Sequence, residues 1–393
     1  MNALGFAWRS LVRQPARSTL GILGVAAVGA LLFDMLLLSQ GLIVSMRDLL
    51  DRTGFNIRVT TTGDFPAAGA RLPNASSAAA AIAALPSVRS AIAVRLADAR
   101  VERQGAPPVF SAFQGVSGGT LRPWTVLRGR DAGQAGEVVV NETLSEALQA
   151  EPGATIDVRA SCLEGREALP PVRLVVAGVA SFPFESSGGR TMGGALDTVE
   201  ASCGGNGEDE ADMILVIASD PVTAAAGIQA LRSDLRTLTN EQMIGRLERG
   251  GVNYFRQISS VLTTVTVSFA MLLITVLLTV SVNQRLGEIA ALRALGFSQR
   301  RVVADVLWES VLIVGTGGAL SLPLGSLLAS WLDRILRFMP GIPAELHFFV
   351  FEPDALVVHV SLLAATAVLA ALYPMRIVAR LPIAATLRSE TIS

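Results

Sequence analysis

I-S-S-V-L-T-T-V-T-V-S-F-A-M-L-L-I-T-V-L-L-T-V-S-V-N-Q, residues 258–284, holds no charged side chain. As an α-helix at about 1.5 Å per residue it outruns the roughly 30 Å of a bilayer's hydrocarbon core. A buried strand is only about 4–8 residues long, so this stretch is too long for one. Three more stretches share its character. Thr19–Ser45 carries one charge, Asp34; Val306–Leu332 carries one, Glu309; Ala355–Tyr373 carries none, only His359. The pattern predicts an α-helical membrane protein with four transmembrane helices. The apolar run of the first stretch exceeds a signal-peptide core, and no small-x-small site precedes Met46-Arg47-Asp48. It reads as an uncleaved anchor.

Composition agrees. Of 393 residues, 51% are apolar and only 17% charged, against about 25% charged in soluble domains. That excludes disorder and an ordinary cytosolic enzyme. A net charge of −1 excludes a nucleic-acid binder driven by phosphate attraction. All 32 basic residues are arginine. Without lysine there is no P-loop on this chain and no Schiff-base chemistry. Any ATP in its function is hydrolysed by another chain.

Arginine bias sets the orientation. Residues 1–18 are net +3, 284–305 net +2 and 374–393 net +2, whereas 333–353 are net −1 and 46–255 net −5. Both termini and the loop after the second span are therefore expected in the cytoplasm. The resulting organisation is an interfacial helix 1–18, a span 19–45 and an extracytoplasmic α+β domain 46–257. A span 258–284, a cytoplasmic helix 285–305 and a span 306–332 follow. An outside loop 333–354, a span 355–373 and a cytoplasmic tail 374–393 complete it. Leu4, Trp8, Leu11 and Val12 lie opposite Arg9 and Arg13, as in an interfacial helix.

The outside segment holds both cysteines, Cys162 and Cys203, which suggests one disulfide. The two histidines, His347 and His359, have no ligand spacing, so no metal site is expected. Phe55–Thr60, Val109–Val116, Glu137–Val140, Thr155–Val158, Arg173–Val179 and Met213–Ala218 read as strands. Ala75–Leu85, with Asn74 as N-cap, Glu142–Ala150 and Val222–Leu238 read as helices. Ser186–Asp212, rich in Gly, Ser and acids, reads as a loop. Asn240–Gln257 reads as helix running toward the second span, interrupted only by Gly250-Gly251. No Ser/His or Cys/His pair and no G-x-S-x-G occurs here, so no catalytic residue is expected.

The cytoplasmic stretch N-Q-R-L-G-E-I-A-A-L-R-A-L-G-F-S-Q-R-R-V-V-A-D, residues 283–305, is the most informative about function. Arg285–Leu295 suits a short helix, with Gly296 as its stop and Ser298 as cap of the next. Ile289, Leu292 and Gly296 share one side; Glu288, Ala291 and Leu295 form the adjoining stripe. Such a helix either lies on the membrane or docks on a partner.

This motif, the following span with Glu309 and G-T-G-G-A-L-S-L-P-L-G resemble the FtsX-like permease family, the membrane subunits of ABC systems of macrolide-exporter (MacB) and lipoprotein-release (Lol) type. S-L-V-R-Q-P-A-R-S-T-L-G-I-L-G near the N-terminus and Tyr373-Pro374 with A-R-L-P-I-A-A-T-L-R near the C-terminus are similar to the family's ends. L-R-G-R-D-A-G-Q-A-G-E-V-V-V-N-E-T-L-S-E-A-L resembles the periplasmic domain of its exporters.

The resemblance implies a bacterial inner-membrane permease without cofactor of its own. ATP and Mg would be on a partner ABC ATPase. Glu288, Ile289, Leu292, Arg293, Leu295, Gly296, Arg300 and Arg301 would form the ATPase-coupling segment. It implies mechanotransmission to the periplasmic domain, a second permease copy as homo- or heterodimer, and in exporters a periplasmic adaptor and outer-membrane channel. A second reading is an ATP-driven regulator of a cell-wall hydrolase. The outside domain, about 210 residues long, favours the exporter form.

Asp34 sits mid-span, where an ionised acid costs about 2.5–3.5 kcal/mol. It is expected to face a partner helix or wet cavity or to be protonated, as a gating or dimer contact, or else to be a tolerated polar residue bonded to Ser or Thr on a neighbouring span. Glu309 lies near the cytoplasmic end of its span, as a clamp for the loop arginines or as an interfacial residue. Gly315, Gly317, Gly318 and Gly325 offer a close-packing surface, and Pro323 a kink.

Overall fold

The computed structural model describes residues 12, 15–62, 70–118, 121–161, 170–204, 209–249, 251–284, 286–287, 289–290, 295, 298–339 and 341–379. The chain divides into two compact units. One comprises residues 43–249 with 335–346; the other comprises 1–42, 250–334 and 347–393.

The first unit is the α+β domain. Strands β1 (Ile57–Thr60), β2 (Leu72–Pro73), β3 (Val88–Arg103), β4 (Ala106–Val116), β5 (Thr125–Gly129) and β6 (Glu137–Val140) come first. They are followed by β7 (Thr155–Ser161), β8 (Val172–Ser181), β9 (Thr191–Ala195), β10 (Glu210–Ala211), β11 (Met213–Ala218) and β12 (Arg236–Thr239). Between them lie α2 (Ala75–Ala83), α3 (Glu142–Leu148), α4 (Leu196–Ser202) and α5 (Pro221–Leu231); α6 (Asn240–Arg249) follows β12.

The sixteen-residue β3 organises everything. Its first half, Val88–Val94, pairs antiparallel with β11, and β11 pairs β1, which pairs β12. Its second half pairs β4 on one side and β7 on the other. From β4 the ladder runs through β9, β6 and β8 back to β7. Six strands thus close a barrel on β3, and an open four-stranded sheet continues from the same strand.

Alternation along the strands fills a core on each sheet, and a third joins them where Phe55, Ile92, Val94 and Leu215 meet Val116, Trp124, Val139 and Phe182. In the open sheet, Ile57, Val59, Ile214 and Val216 face α2 and α5 with Ile82 and Ile228. In the barrel, Val101, Phe113, Val138, Ile156, Leu174 and Val176 meet Leu144, Leu148 and Val199 of the covering helices. Glycines admit the close contacts. A Cβ on Gly193 would meet the Trp124 ring at 2.7 Å, and Trp124 tilts on Phe182 with centroids 5.6 Å apart.

One polar knot ties three barrel segments. Asn141, 2% exposed, caps α3: its Oδ1 accepts from Leu144 N at 2.9 Å. Its Nδ2 donates to Gly189 O at 2.7 Å and to the Glu185 carboxylate. Burial pushes the Glu185 carboxyl up to about 7. By contrast Glu137, forked by Arg130 and accepting from Gly133 N and Gln134 N, is held down to about 2. The Glu185 carbonyl accepts from Ala344 N at 2.7 Å, and Ser186 bridges Pro343. The 335–346 segment is thereby stitched to this domain.

Three sequence expectations need correction. Ser186–Asp212 is not a loop: it holds β9, α4 and β10. Val222–Leu238 is not one helix. α5 ends at Leu231, Arg232 is extended (φ −140°), and buried Leu235 leads into β12. Asn74 is left-handed (φ 52°) and makes no side-chain cap. Asp209 caps α2 from across the chain, accepting from Ser76 N at 2.8 Å.

The second unit is helical. Besides α1 (Pro15–Arg52), it contains α7 (Gly251–Asn283), α8 (Gln299–Arg337) and α9 (Pro353–Ala379). Four helical segments are long and apolar enough to cross a membrane: Ser18–Arg52, Gln257–Val280, Leu307–Arg337 and Pro353–Ile377. Val25, Leu32, Ile274, Leu278, Ile313, Val314, Leu363 and Ala370 form their shared core. Three of the four α8 glycines admit neighbours: a Cβ on Gly317 would meet Val25 at 2.7 Å, on Gly318 Leu363 at 3.0 Å, on Gly325 Phe33 at 3.1 Å. Gly315 faces open space. α8 continues as helix through Pro323.

Candidate functional site

The segment between α7 and α8 carries the sequence's strongest functional pattern. Leu286, Gly287, Ile289 and Ala290 are helical, and α8 starts one residue after Ser298. Ile289 and Ala290 are buried against the chain itself, at 7% and 0% exposure. Leu295 is 77% exposed. The two stripes read from sequence therefore part company: the Ile289 side faces inward, and Leu295 faces solvent. Glu288, Leu292, Arg293 and Gly296 lie outside the described residues, as do the side chains of Arg300 and Arg301. The 1–11 part of the expected interfacial helix and the tail from 380 also lie outside them.

Within the apolar helices Asp34, Glu309, Ser321 and His359 are buried. Asp34 is 1% exposed, and among the described residues neither carboxyl oxygen has a hydrogen-bond partner. Its helical neighbours Ala30 and Leu37 are buried, and Gly325 of α8 closes on Ala30 and Phe33. Glu309 is 6% exposed beside Ser310 at 1%.

Two further contacts carry no signal in the local sequence. His359, 1% exposed, bonds Ser321 Oγ through Nε2 at 3.0 Å and stacks edge-on with Phe33 at 5.3 Å. Gly29 allows this, since a Cβ there would meet Ser321 Cβ at 2.7 Å. Near the end of α8, Asp333 accepts from His347 Nδ1 at 2.9 Å and from Phe348 N at 2.8 Å. The Phe348 carbonyl backs directly onto Gly41 of α1. Spacings of 14 and 38 residues between partners are invisible to any local pattern.

Cys203 closes α4 and is disulfide-bonded; Cys162 lies outside the described residues. Among the described residues no group of three or more His, Cys, Asp or Glu is arranged to hold a metal ion.

Residues 18–234 match the model of the MacB-like periplasmic core domain, and residues 260–383 that of the FtsX-like permease C-terminal region. The chain belongs to the FtsX-like, MacB-type permease family. Solved structures similar to this permease cover about half of it. The periplasmic region of MacB from Actinobacillus actinomycetemcomitans is 13% identical, spanning 51% of this chain and 98% of that one, with a TM-score of 0.38. The extracellular domain of the noncanonic ABC-type transporter YknZ from Gram-positive bacteria is 13% identical over 47% of this chain and 99% of that one, with a TM-score of 0.34. A domain of a putative permease from Porphyromonas gingivalis is 14% identical over 47% and 87%, with a TM-score of 0.30. No curated protein matches the sequence. The family is one of ABC transporter membrane permeases, generally non-catalytic, which work with a cytoplasmic ATPase.

Proposed function

We propose that this permease is the non-catalytic membrane subunit of an ABC exporter or lipoprotein-release type system. A separate ATPase chain hydrolyses Mg-ATP, and this chain carries the resulting movement to its extracytoplasmic domain. It sits in the bacterial inner membrane with both termini in the cytoplasm, paired with a second permease copy.

The observation that carries this reading is α1. It is one hydrogen-bonded helix of 38 residues, about 57 Å long, where the hydrocarbon core needs about 30 Å. Val25 and Leu32 lie in the core of the apolar helices, while Leu49 and Leu50 are buried in the α+β unit. An α-helix resists compression and bending along its axis, so displacement at one end reaches the other. Exposed Leu295 at the cytoplasmic turn supplies an apolar contact for the ATPase.

Co-purification from the native host in mild detergent tests this. An ABC ATPase at a stoichiometry of one per permease, lost in Leu295→Asp while membrane insertion is kept, is the expected result. Absence of any ATPase with nucleotide present, or an unchanged yield of it with Leu295→Asp, would sink the coupling claim.

A further inference from the structure

The open sheet has a second face, turned away from α2 and α5. Strand alternation puts Arg58, Leu215, Met213, Val94 and Leu96 there, while Ile57, Val59, Ile214 and Val216 go to the helix side. A cavity of about 450 Å³ lies against this face within the α+β unit. The end of α1 walls it with Met46 and Leu50, α6 with Met243 and Leu247, and Phe184 and Pro343 contribute from the flanking loops. That size falls in the range of small-molecule sites. Three methionines give the wall adaptable, unbranched surface of the kind found where ligands of varied shape bind.

The wall holds one cation. Arg58 is only 8% exposed, and burial lowers its pKa. Its Nη1 donates to Asn240 Oδ1 at 3.0 Å. Among the described residues no carboxylate forms an ion pair with it. The nearest acid in its hydrogen-bond chain is Asp51, one step removed: Asn240 Nδ2 donates to Asp51 Oδ1 at 3.2 Å. A buried charge is costly unless paired. A guanidinium presents five donors in a fixed fork, and here a neutral amide takes one of them. Thr53 and Gln114 are the other polar side chains on the wall; Thr53 spends its hydroxyl on Leu50 O at 2.7 Å.

We infer that this cavity is a binding site for a single-chain amphiphile with a carboxylate head, the head paired with Arg58 and the alkyl chain lying among Met46, Met213 and Met243. Volume sets the chain count. At about 30 Å³ per non-hydrogen atom, the share of a water in the liquid, the cavity takes about fifteen atoms. A ten- to twelve-carbon carboxylate fills it; a lipid with two full chains does not fit. Charge sets the head: an alcohol of the same length would leave Arg58 as it is, whereas a carboxylate accepts a bidentate pair. The inference does not depend on the ATPase reading, and its readout needs no ATPase.

Photo-labelling tests it on the full chain in nanodiscs of zwitterionic lipid. The probe is dodecanoate carrying a diazirine near the methyl end, with cross-links mapped by mass spectrometry. The expected result is label on the peptides containing Met213 and Met243, displaced by unlabelled dodecanoate and at least tenfold less well by dodecanol. Arg58→Met should weaken displacement about tenfold or more, the loss of a charge-assisted bond, and Arg58→Lys should retain most of it. Label confined to the transmembrane peptides would overturn the proposal. So would dodecanol competing as well as dodecanoate on the unaltered chain, a result that owes nothing to how the variants fold. Loss of label in nanodiscs of anionic two-chain lipid would assign the site to the membrane lipid and overturn the single-chain assignment.

Discussion

Replacing Asn141 with alanine should cost the α+β domain about 3 kcal/mol. Two losses add. Leu144 N forfeits its side-chain cap, about 1 kcal/mol for an N-cap. The Gly189 carbonyl and the Glu185 carboxylate forfeit the donors of a residue that is 2% exposed; stranding buried acceptors costs about 1–3 kcal/mol. For a domain of about 200 residues each kcal/mol moves the melting point by about 2–4 °C, so a fall of about 6–12 °C is expected. Trp124 reports it. It is 6% exposed in this unit, and with Trp8, Trp308 and Trp331 replaced by phenylalanine it is the sole tryptophan of the chain. Asn141→Asp separates the two losses. It keeps the cap acceptor but sets a second carboxylate against Glu185, whose carboxyl titrates near 7. Its deficit should be smaller at pH 5.5, where Glu185 holds a proton and only the donor to the Gly189 carbonyl is lost, and grow by pH 8. A melting point within 2 °C of the parent for Asn141→Ala, or a pH-independent deficit for Asn141→Asp, would refute the reasoning.

Glu185 itself predicts a pH slope. Its carboxyl is raised from 4.5 to about 7, so the folded state binds the proton more tightly than the unfolded one. Stability is greatest below pH 4.5 and falls as pH climbs to about 7, by up to about 3 kcal/mol; Glu185→Gln should flatten that slope in melts taken from pH 5 to 8. Leu174→Ala, at 0% exposure in the barrel, should cost about 3–5 kcal/mol, read by urea titration in nanodiscs; a cost below 1 kcal/mol would deny Leu174 its place in the barrel core. Gly317→Leu drives a side chain into Val25 and the Ile22 carbonyl, and should lower the monodisperse yield in detergent several-fold while Gly315→Leu, facing open space, does not. Reducing the Cys203 disulfide should destabilise the domain by about 2–5 kcal/mol; an unchanged melt, with Cys203 already reactive to maleimide before reduction, would contradict the bond.

Hydrophobic patterning exposed the membrane half because a span must be apolar over its whole length, whatever its neighbours. Strands with an intrinsic signature, such as Glu137–Val140 and Met213–Ala218, were legible for the same reason. β9 was not. T-M-G-G-A has little strand propensity of its own and is extended because β4 and β6 pair it on both sides. Its glycines exist for Trp124 and Phe113, which close over them. β3 was missed because arginines and acids interrupt it, yet its ladder partners on both sides hold it extended. α5 was overrun because nothing local ends it: Leu235 is captured by the core and β12 by the free edge of β1. Of the coupling segment, sequence supplied two apolar stripes but not which one the chain uses itself; burial of Ile289 and exposure of Leu295 separate them.

The shared strand β3 has one more consequence. Val94 and Leu96 wall the cavity, while residues from Val94 onward are staves of the barrel. A closed barrel of this kind cannot splay one stave without opening its seam. The two lobes thus share both β3 and the core in which Phe55 and Leu215 meet Val116 and Trp124, and neither can soften alone. Anything that wedges the cavity wider would have to unzip the Val94–Val116 end of the barrel first. Slow amide exchange around Leu96 should therefore be the shared clock of both lobes.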